Sequence, residues 1–359
     1  MVFPVNAQSY RKYIEFVALC LLASALLWWF GRNLDWREVG QRVSSANPVL
    51  LIIAVAIISL AYGVRAFRWG ALLKPLVPAR LPDLFAATAI GFSAVFLVGR
   101  AGEFVRPVVL PMRDPRVRPS ASLVTILVER IYDMMAVALM FAINLIWFRP
   151  VVTPDISFSR VRIVGFGMLA ATILGLIFLI WYRTKSAWLL GIIERRVTRW
   201  RFVPQRLVKV VLRILEQLAQ ALRVLVNARE LAETIGWTAM LWFGVALANF
   251  LVMRAFGLHV GVSETLFVLG WSLVGSLVPT PGGAAGAFHA ATAAGFLFLG
   301  VEKELAAAVS IILHLVDFGP AILFGVFYVI KGDLSISRLR TLVSPREDFE
   351  NPVGEVQVR

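Results

Sequence analysis

Cysteine occurs once, at Cys20, which excludes a disulfide within the chain and a cysteine-rich zinc site. Histidine is almost as scarce: His259, His289 and His314 are scattered without metal-ligand spacing. No HExxH, GxSxG or cysteine–histidine arrangement is present, and no Gly-Lys-Ser/Thr follows Gly282-Gly283-x-x-Gly286, so the run is not a P-loop. No catalytic residue, metal or cofactor is therefore expected. Ten-residue strands of alternating polarity, the mark of a transmembrane barrel, are missing too. Carboxylates are few: 22 Asp and Glu stand against 36 Lys and Arg, a net charge of +14. The excess cations lie between apolar runs rather than along one polar face. That is the pattern of loops on one side of a membrane, and no nucleic acid partner is expected.

What the chain has in quantity is apolar sequence. Hydrophobic residues make up 59% of its 359 positions, and the mean hydropathy is +0.78. Apolar runs of about 17–25 residues recur, which is the signature of membrane helices. The expected fold is an all-α polytopic membrane domain over 1–335, followed by a polar cytoplasmic tail at 336–359. Six segments read as full crossings: 14–31, 48–67, 121–147, 163–182, 234–255 and 305–330. Ala23-Ser24-Ala25 resembles a signal-peptidase site but lies inside an apolar run that continues to Phe30, so the first helix is expected to stay uncleaved.

Orientation follows the basic residues. The connection 183–233 holds eleven Lys and Arg against four acids and is expected at the cytoplasmic face. Within it, VPQRLVKVVLRILEQLAQALRVLVN carries a polar stripe that suits an amphipathic helix on an anionic leaflet, or equally one packed against the bundle. Both termini are then cytoplasmic, provided two irregular apolar stretches, 84–99 and 265–300, each return to the side they left. Residues 266–278 as a helix would reach about 20 Å, short of a hydrocarbon core of about 30 Å, which favours re-entrant hairpins.

The irregular stretches echo one another. Gly91-Phe92-Ser93-Ala94-Val95 matches Gly270-Trp271-Ser272-Leu273-Val274, and each precedes a glycine-rich break, GRAGEFVRP at 99–107 and PTPGGAAGAFH at 279–289. A helix with interior charges follows each: Arg130-x-x-Asp133 in the first half, His314-x-x-Asp317 in the second. The order suggests an inverted repeat whose two breaks meet at mid-membrane, the plan of many secondary transporters. Backbone unwound by Pro279, Pro281, Gly282, Gly283 and Gly286 cannot face lipid. It needs protein or water over it, and a helix resuming at Gly286 would point its N–H groups at an occupant, preferably anionic.

Ionised groups at bilayer depth cost about 2.5–3.5 kcal/mol each on insertion scales. Arg100, Glu103, Arg106, Glu129, Arg130, Asp133 and Asp317 are therefore expected to face inward. Glu129 and Asp133 share a helix face and are expected to pair with Arg100 or Arg106, either as a structural knot or with an arginine left over for a lipid phosphate. Arg65 and Arg68, near the end of segment 48–67, are expected to snorkel to the interface.

Three motifs carry a resemblance to a known family: Gly102-Glu103-x-x-Arg106, Glu129-Arg130-x-x-Asp133, and Pro279-x-Pro281-Gly282-Gly283-x-x-Gly286. Their order and spacing resemble the flippase-like family named for the membrane region of lysylphosphatidylglycerol synthase, over about residues 10–335. The resemblance implies movement or handling of lipids between leaflets, in a family with lysyl-lipid, archaeal lipid-sugar and hopanoid-linked members. Two departures stand out. No aminoacyl-transfer domain is recognised, so lysyl-lipid synthesis is not expected. The glutamate often found after the Pro-Gly-Gly motif is replaced around Phe288-His289, which puts an amino-lipid substrate in doubt.

The combined expectation is a bacterial inner-membrane lipid translocator or lipid-transport component. Its substrate site would be built from Arg100, Glu103, Arg106, Glu129, Arg130 and Asp133 on one side, with Pro281, Gly282, Gly283, Gly286, His289, His314 and Asp317 on the other. Membrane lipids would be its partners, with lipid-modifying proteins as possible associates. A membrane enzyme acting on a lipid headgroup and a non-transporting scaffold are the alternatives.

Overall fold

A computed structural model describes residues 7–148, 158–197 and 228–331, all of whose regular structure is helical. In chain order the helices are α1 (Ala7–Gly31), α2 (Trp36–Ser45), α3 (Pro48–Leu73), α4 (Leu81–Val98), a 3-10 segment (Gly99–Val105), α5 (Arg106–Arg113), α6 (Pro119–Trp147) and α7 (Phe158–Val197). After these come α8 (Ala228–Ala255), α9 (Val262–Gly275), a turn at Pro281–Ala284, α10 (Ala287–Phe298) and α11 (Lys303–Ile330). The amphipathic segment 203–227 and the tail at 336–359 lie outside the described residues.

Local chemistry sets the boundaries. Asn47 accepts from the N–H groups of Val49 and Leu50 at 3.0 and 3.4 Å, and Pro48 follows at the first helical position, so α3 starts there. Asp35 caps α2 in the same way, and the chain bends by 86° between α1 and α2. Leu258 N–H bonds back to Met253 O as Gly257 turns α8 off with φ +75°. In the turn between α5 and α6, Arg116 bonds both carboxylate oxygens of Asp114 and holds that carboxyl below the usual carboxylate range.

The core is assembled around α3 and α8, which pack along their length through Ala54, Ile58 and Ala61 on one side and Leu241, Val245 and Ala248 on the other. Small residues on both faces let the helices approach closely.

Among the described residues four helical stretches are long and apolar enough to cross a membrane, or five if bent α1–α2 counts as one. Segments 48–67, 234–255 and 305–330 qualify as expected, within α3, α8 and α11. Segment 14–31 lies within the 25-residue α1, whose part Val17–Gly31 qualifies together with the bent α2. Helix α6 has 29 residues, ample length, but Glu129, Arg130 and Asp133 interrupt its apolar run. Segment 163–182 lies within the 40-residue α7, whose continuous run of described side chains, Phe166–Phe178, is apolar.

The fourth qualifying stretch, Leu81–Arg113, is not a straight rod. Along a helix Gly91 and Arg106 would stand about 22 Å apart. Instead a Cβ on Gly91 would fall 2.0 Å from Arg106 Cγ, and one on Gly102 would fall 2.2 Å from the backbone nitrogen of Val95. The chain therefore doubles back at the 3-10 segment. A second hairpin forms from α9 and α10: Thr292 donates to Ser272 Oγ at 2.9 Å, and a Cβ on Gly275 would meet the Ala287 carbonyl at 2.7 Å. Both irregular stretches are thus hairpins.

Gly102 lies against backbone, which cannot rotate away as a side chain can. Gly102→Ala should lower the detergent-solubilised Tm clearly, at a cost of about 1–3 kcal/mol. Gly63→Ala, where nothing lies within 4 Å of the added carbon, should leave it near wild type. Equal Tm values for the two variants would contradict the folded-back packing.

Candidate functional site

The two hairpin tips touch. Gly99, with φ +70°, would hold a Cβ only tightly, with the carbonyl oxygens of Pro279 and Thr280 at 3.1 and 3.2 Å from it. Across the same seam Arg100 Nη2 donates to Ser276 O at 2.9 Å. Beside this junction, between α3, α6, α8 and α11, lies a cavity of about 420 Å³. Its charged lining is Arg65, Arg100, Glu103, Arg130, Asp133 and Asp317, and its apolar wall includes Phe92, Val137, Leu269 and Phe318. That volume falls within the range of small-molecule sites.

Below the chamber sits a knot of buried charge. Glu129, fully buried, takes two parallel bonds from Arg106 at 3.1 and 3.0 Å and is reached by Arg68 at 3.1 Å and Arg130 at 2.9 Å. Asp133 is bracketed by Arg68 at 2.5 and 3.1 Å, with Arg130 at 3.2 Å and Trp242 Nε1 at 3.3 Å. Three guanidinium groups thus share two carboxylates. Arg106 is held further by the face of Trp69, 4.4 Å from the ring centre, while Trp69 Nε1 donates to Thr125.

The expected site residues fall into three groups. Arg100, Glu103, Arg130, Asp133 and Asp317 line the chamber. Arg106 and Glu129 are in the knot beneath it, buried and paired. Arg100 does not pair with Glu129 or Asp133; its carboxylate partner is Glu103, at 3.4 Å.

The third group lies away from the chamber wall. Pro281, Gly282, Gly283, Gly286, His289 and His314 form a closed turn instead. His314 Nε2 lies 3.1 Å from Gly283 O, and Gly286 N–H donates to His289 Nδ1 at 3.3 Å. The two imidazole rings meet at 4.6 Å inside a cage of Phe30, Phe96, Phe288 and Phe318. None of the six expected residues in the turn lines the cavity. The Gly286 N–H is already capped by a neighbouring ring, and the carbonyl of Gly283 is taken.

Sequence reasoning missed Arg65 and Arg68. Neither snorkels: Arg68 is completely buried in the knot, and Arg65 lines the chamber. Helix α3 runs on to Leu73, so both arginines lie within its body rather than at its end. A signal existed in the spacing Tyr62-x-x-Arg65-x-x-Arg68, which places the three on one face. Arg65 makes no ion pair among the described residues and rests on the rings of Phe92 and Tyr62, at 4.8 and 5.6 Å. The chamber also opens laterally. Met134 and Leu277 both line it, yet they are 72% and 65% exposed on the outer surface of the bundle.

The knot and the free arginine should respond differently to mutation. Glu129→Ala leaves buried guanidinium groups uncompensated and should cost about 3–5 kcal/mol, read as a large fall in Tm in detergent. Arg65→Ala removes no ion pair and should leave Tm close to wild type. The reverse order would overturn the assignment of the two roles.

Comparison with known proteins adds a family. The family described as lysylphosphatidylglycerol synthase TM region matches residues 16–325. The chain is also similar to a UPF0104 membrane protein of Pyrococcus horikoshii, 22% identical over 339 residues that cover 89% of this chain and 97% of that protein.

Proposed function

The chain belongs to the family of the lysylphosphatidylglycerol synthase transmembrane region, and from that premise we propose that it is a lipid translocator that moves a lipid with an anionic or polar head between leaflets. The observation that carries the reading is a largely apolar chamber that holds a spare cation and has exposed apolar residues at its rim. Arg65 stands in it without an acid, ready to make charge-assisted bonds to a phosphate. Met134 and Leu277, exposed at the rim, mark where tails would remain in lipid while the head enters.

In this reading the two hairpins are re-entrant and belong to an inverted repeat. Its support is reciprocal packing: α3 lies on α8, its counterpart in the other half. The first arm of hairpin one packs on α11, and the first arm of hairpin two packs on α6. The site would then sit between two opposed breaks, as in transporters built on such repeats. The proposed location is a bacterial inner membrane with both termini cytoplasmic, and the basic connection 183–233 resting on the anionic leaflet. Any lipid-modifying partner would act on the same substrate.

The test is transbilayer movement of headgroup-labelled phosphatidylglycerol in proteoliposomes. Wild type should exceed empty liposomes. Arg65→Ala should slow movement about tenfold, the loss of one bond to a charged group. Met134→Trp should slow it by narrowing the rim, and Gly63→Ala should not slow it. Equal rates for wild type and empty liposomes across a broad lipid panel would reject the translocator reading. A covalent change in the recovered lipid would favour a membrane enzyme instead.

A further inference from the structure

The chamber contains one acid outside the ion-pair network. Asp133 is bound by Arg68 and Arg130, and Glu103 by Arg100, but Asp317 makes no ion pair among the described residues. Its Oδ1 is buried and receives no hydrogen bond. Beside it on α8 stands Asn249, whose amide nitrogen donates to Val245 O at 3.0 Å and whose Oδ1 is likewise buried without a donor. A buried acceptor left without a partner is costly, and an unpaired buried carboxylate more so. Asn249 is a side-chain hydrogen-bond partner of the Asp317 carboxyl, yet Oδ1 of each residue is left without a hydrogen.

The surroundings narrow what supplies it. Helix α3 presents Tyr62, whose hydroxyl is committed to the Asp317 backbone carbonyl at 3.1 Å, and Arg65, whose charge acts on the carboxyl but makes no ion pair with it. On α11 itself His314 is engaged with Gly283. Helix α4 offers Ser93, which donates to Ala321 O, and α10 offers His289, which is held by Gly286. None of these donates to the Asp317 carboxyl. Across the chamber Arg130 is occupied by Glu129 and Asp133.

We propose that Asp317 is the proton-binding site of the transport cycle, neutral when an anionic headgroup sits on Arg65 and ionised when Arg65 is vacant. The inference rests on the translocator reading and adds the coupling ion to it. The charge balance shows why the two events are linked. Arg65, Arg68, Arg100, Arg106 and Arg130 face Glu103, Glu129, Asp133 and Asp317, an excess of one positive charge with every acid ionised. A proton moving from water onto the Asp317 carboxylate forms one O–H bond and raises the excess to two. It also removes the one anion that competes with a phosphate for Arg65. On departure of the headgroup the proton leaves and Asp317 again offsets Arg65.

Two measurements test this on the full chain in nanodiscs and proteoliposomes. Binding of labelled phosphatidylglycerol should weaken by up to about tenfold per pH unit on the alkaline side, the slope of one linked proton. Asp317→Asn should bind with a flat pH profile. Infrared difference spectra should show a protonated-carboxyl carbonyl band that grows when phosphatidylglycerol is added to wild type and is missing in Asp317→Asn. The spectral test needs no transport. A wild-type slope preserved in Asp317→Asn, a sodium requirement, or no lipid-induced carboxyl band would overturn the proton site. If transport occurs without these signs, the translocator reading stands alone. If no transport occurs but the band responds to lipid, the translocator fails while the linked proton remains.

Discussion

Glu129 has no exposed surface, and its charge at bilayer depth is tolerable only because three arginines converge on it. Those arginines come from α3, α5 and α6, so the carboxylate fastens the returning arm of the first hairpin to two long helices at once. Much of the neighbouring sequence follows from this. Gly91 has no side chain because the stem of Arg106 occupies that space. Trp69 turns its face to the same guanidinium and its indole N–H to Thr125. Asp133, one turn on from Glu129, carries the network to Trp242 on α8. The knot is thus a scaffold for the chamber above it, and its arginines are not the ones free to meet a ligand.

The second half solves the same backbone problem without charge. Its break is held by imidazole and aromatic rings. His289 receives the freed Gly286 N–H, His314 engages the Gly283 carbonyl, and phenylalanines surround both rings. Gly282, Gly283 and Ala284 all take positive φ, a conformation easily reached by glycine and strained for alanine. A polar, ionic break and a dry, aromatic one therefore meet tip to tip, and the chamber opens on the ionic side. This asymmetry leaves charged side chains on one side of the junction and a ring-packed turn on the other.

Membrane character, the two folded-back stretches and the inward placement of Glu129, Asp133 and Arg106 were legible in the sequence. Each rests on a strong local rule: apolar length, glycine with proline in an apolar run, and the cost of charge at depth. The span count was less legible because length and apolarity separate in this chain. Helix α6 is long but charged, and Leu81–Arg113 is apolar but doubled back. Arg65 and Arg68 were misplaced because the end of α3 was set six residues too early, which put interior arginines at an imagined interface. The histidines were placed at the ligand because spacing along a helix cannot tell a wet wall from a dry one. Only the neighbours brought in by the fold, Phe30 and Phe96 among them, decide that.

The central claim is that the space beside the hairpin tips holds a lipid head whose tails leave between α6 and the second hairpin. An electron cryomicroscopy map of the full chain in phosphatidylglycerol nanodiscs addresses it directly. The account predicts phosphate density within hydrogen-bonding reach of Arg65, with acyl density passing Met134 and Leu277. A chamber closed at that rim, or one in which Arg65 has turned onto an acid and no lipid enters, would contradict it.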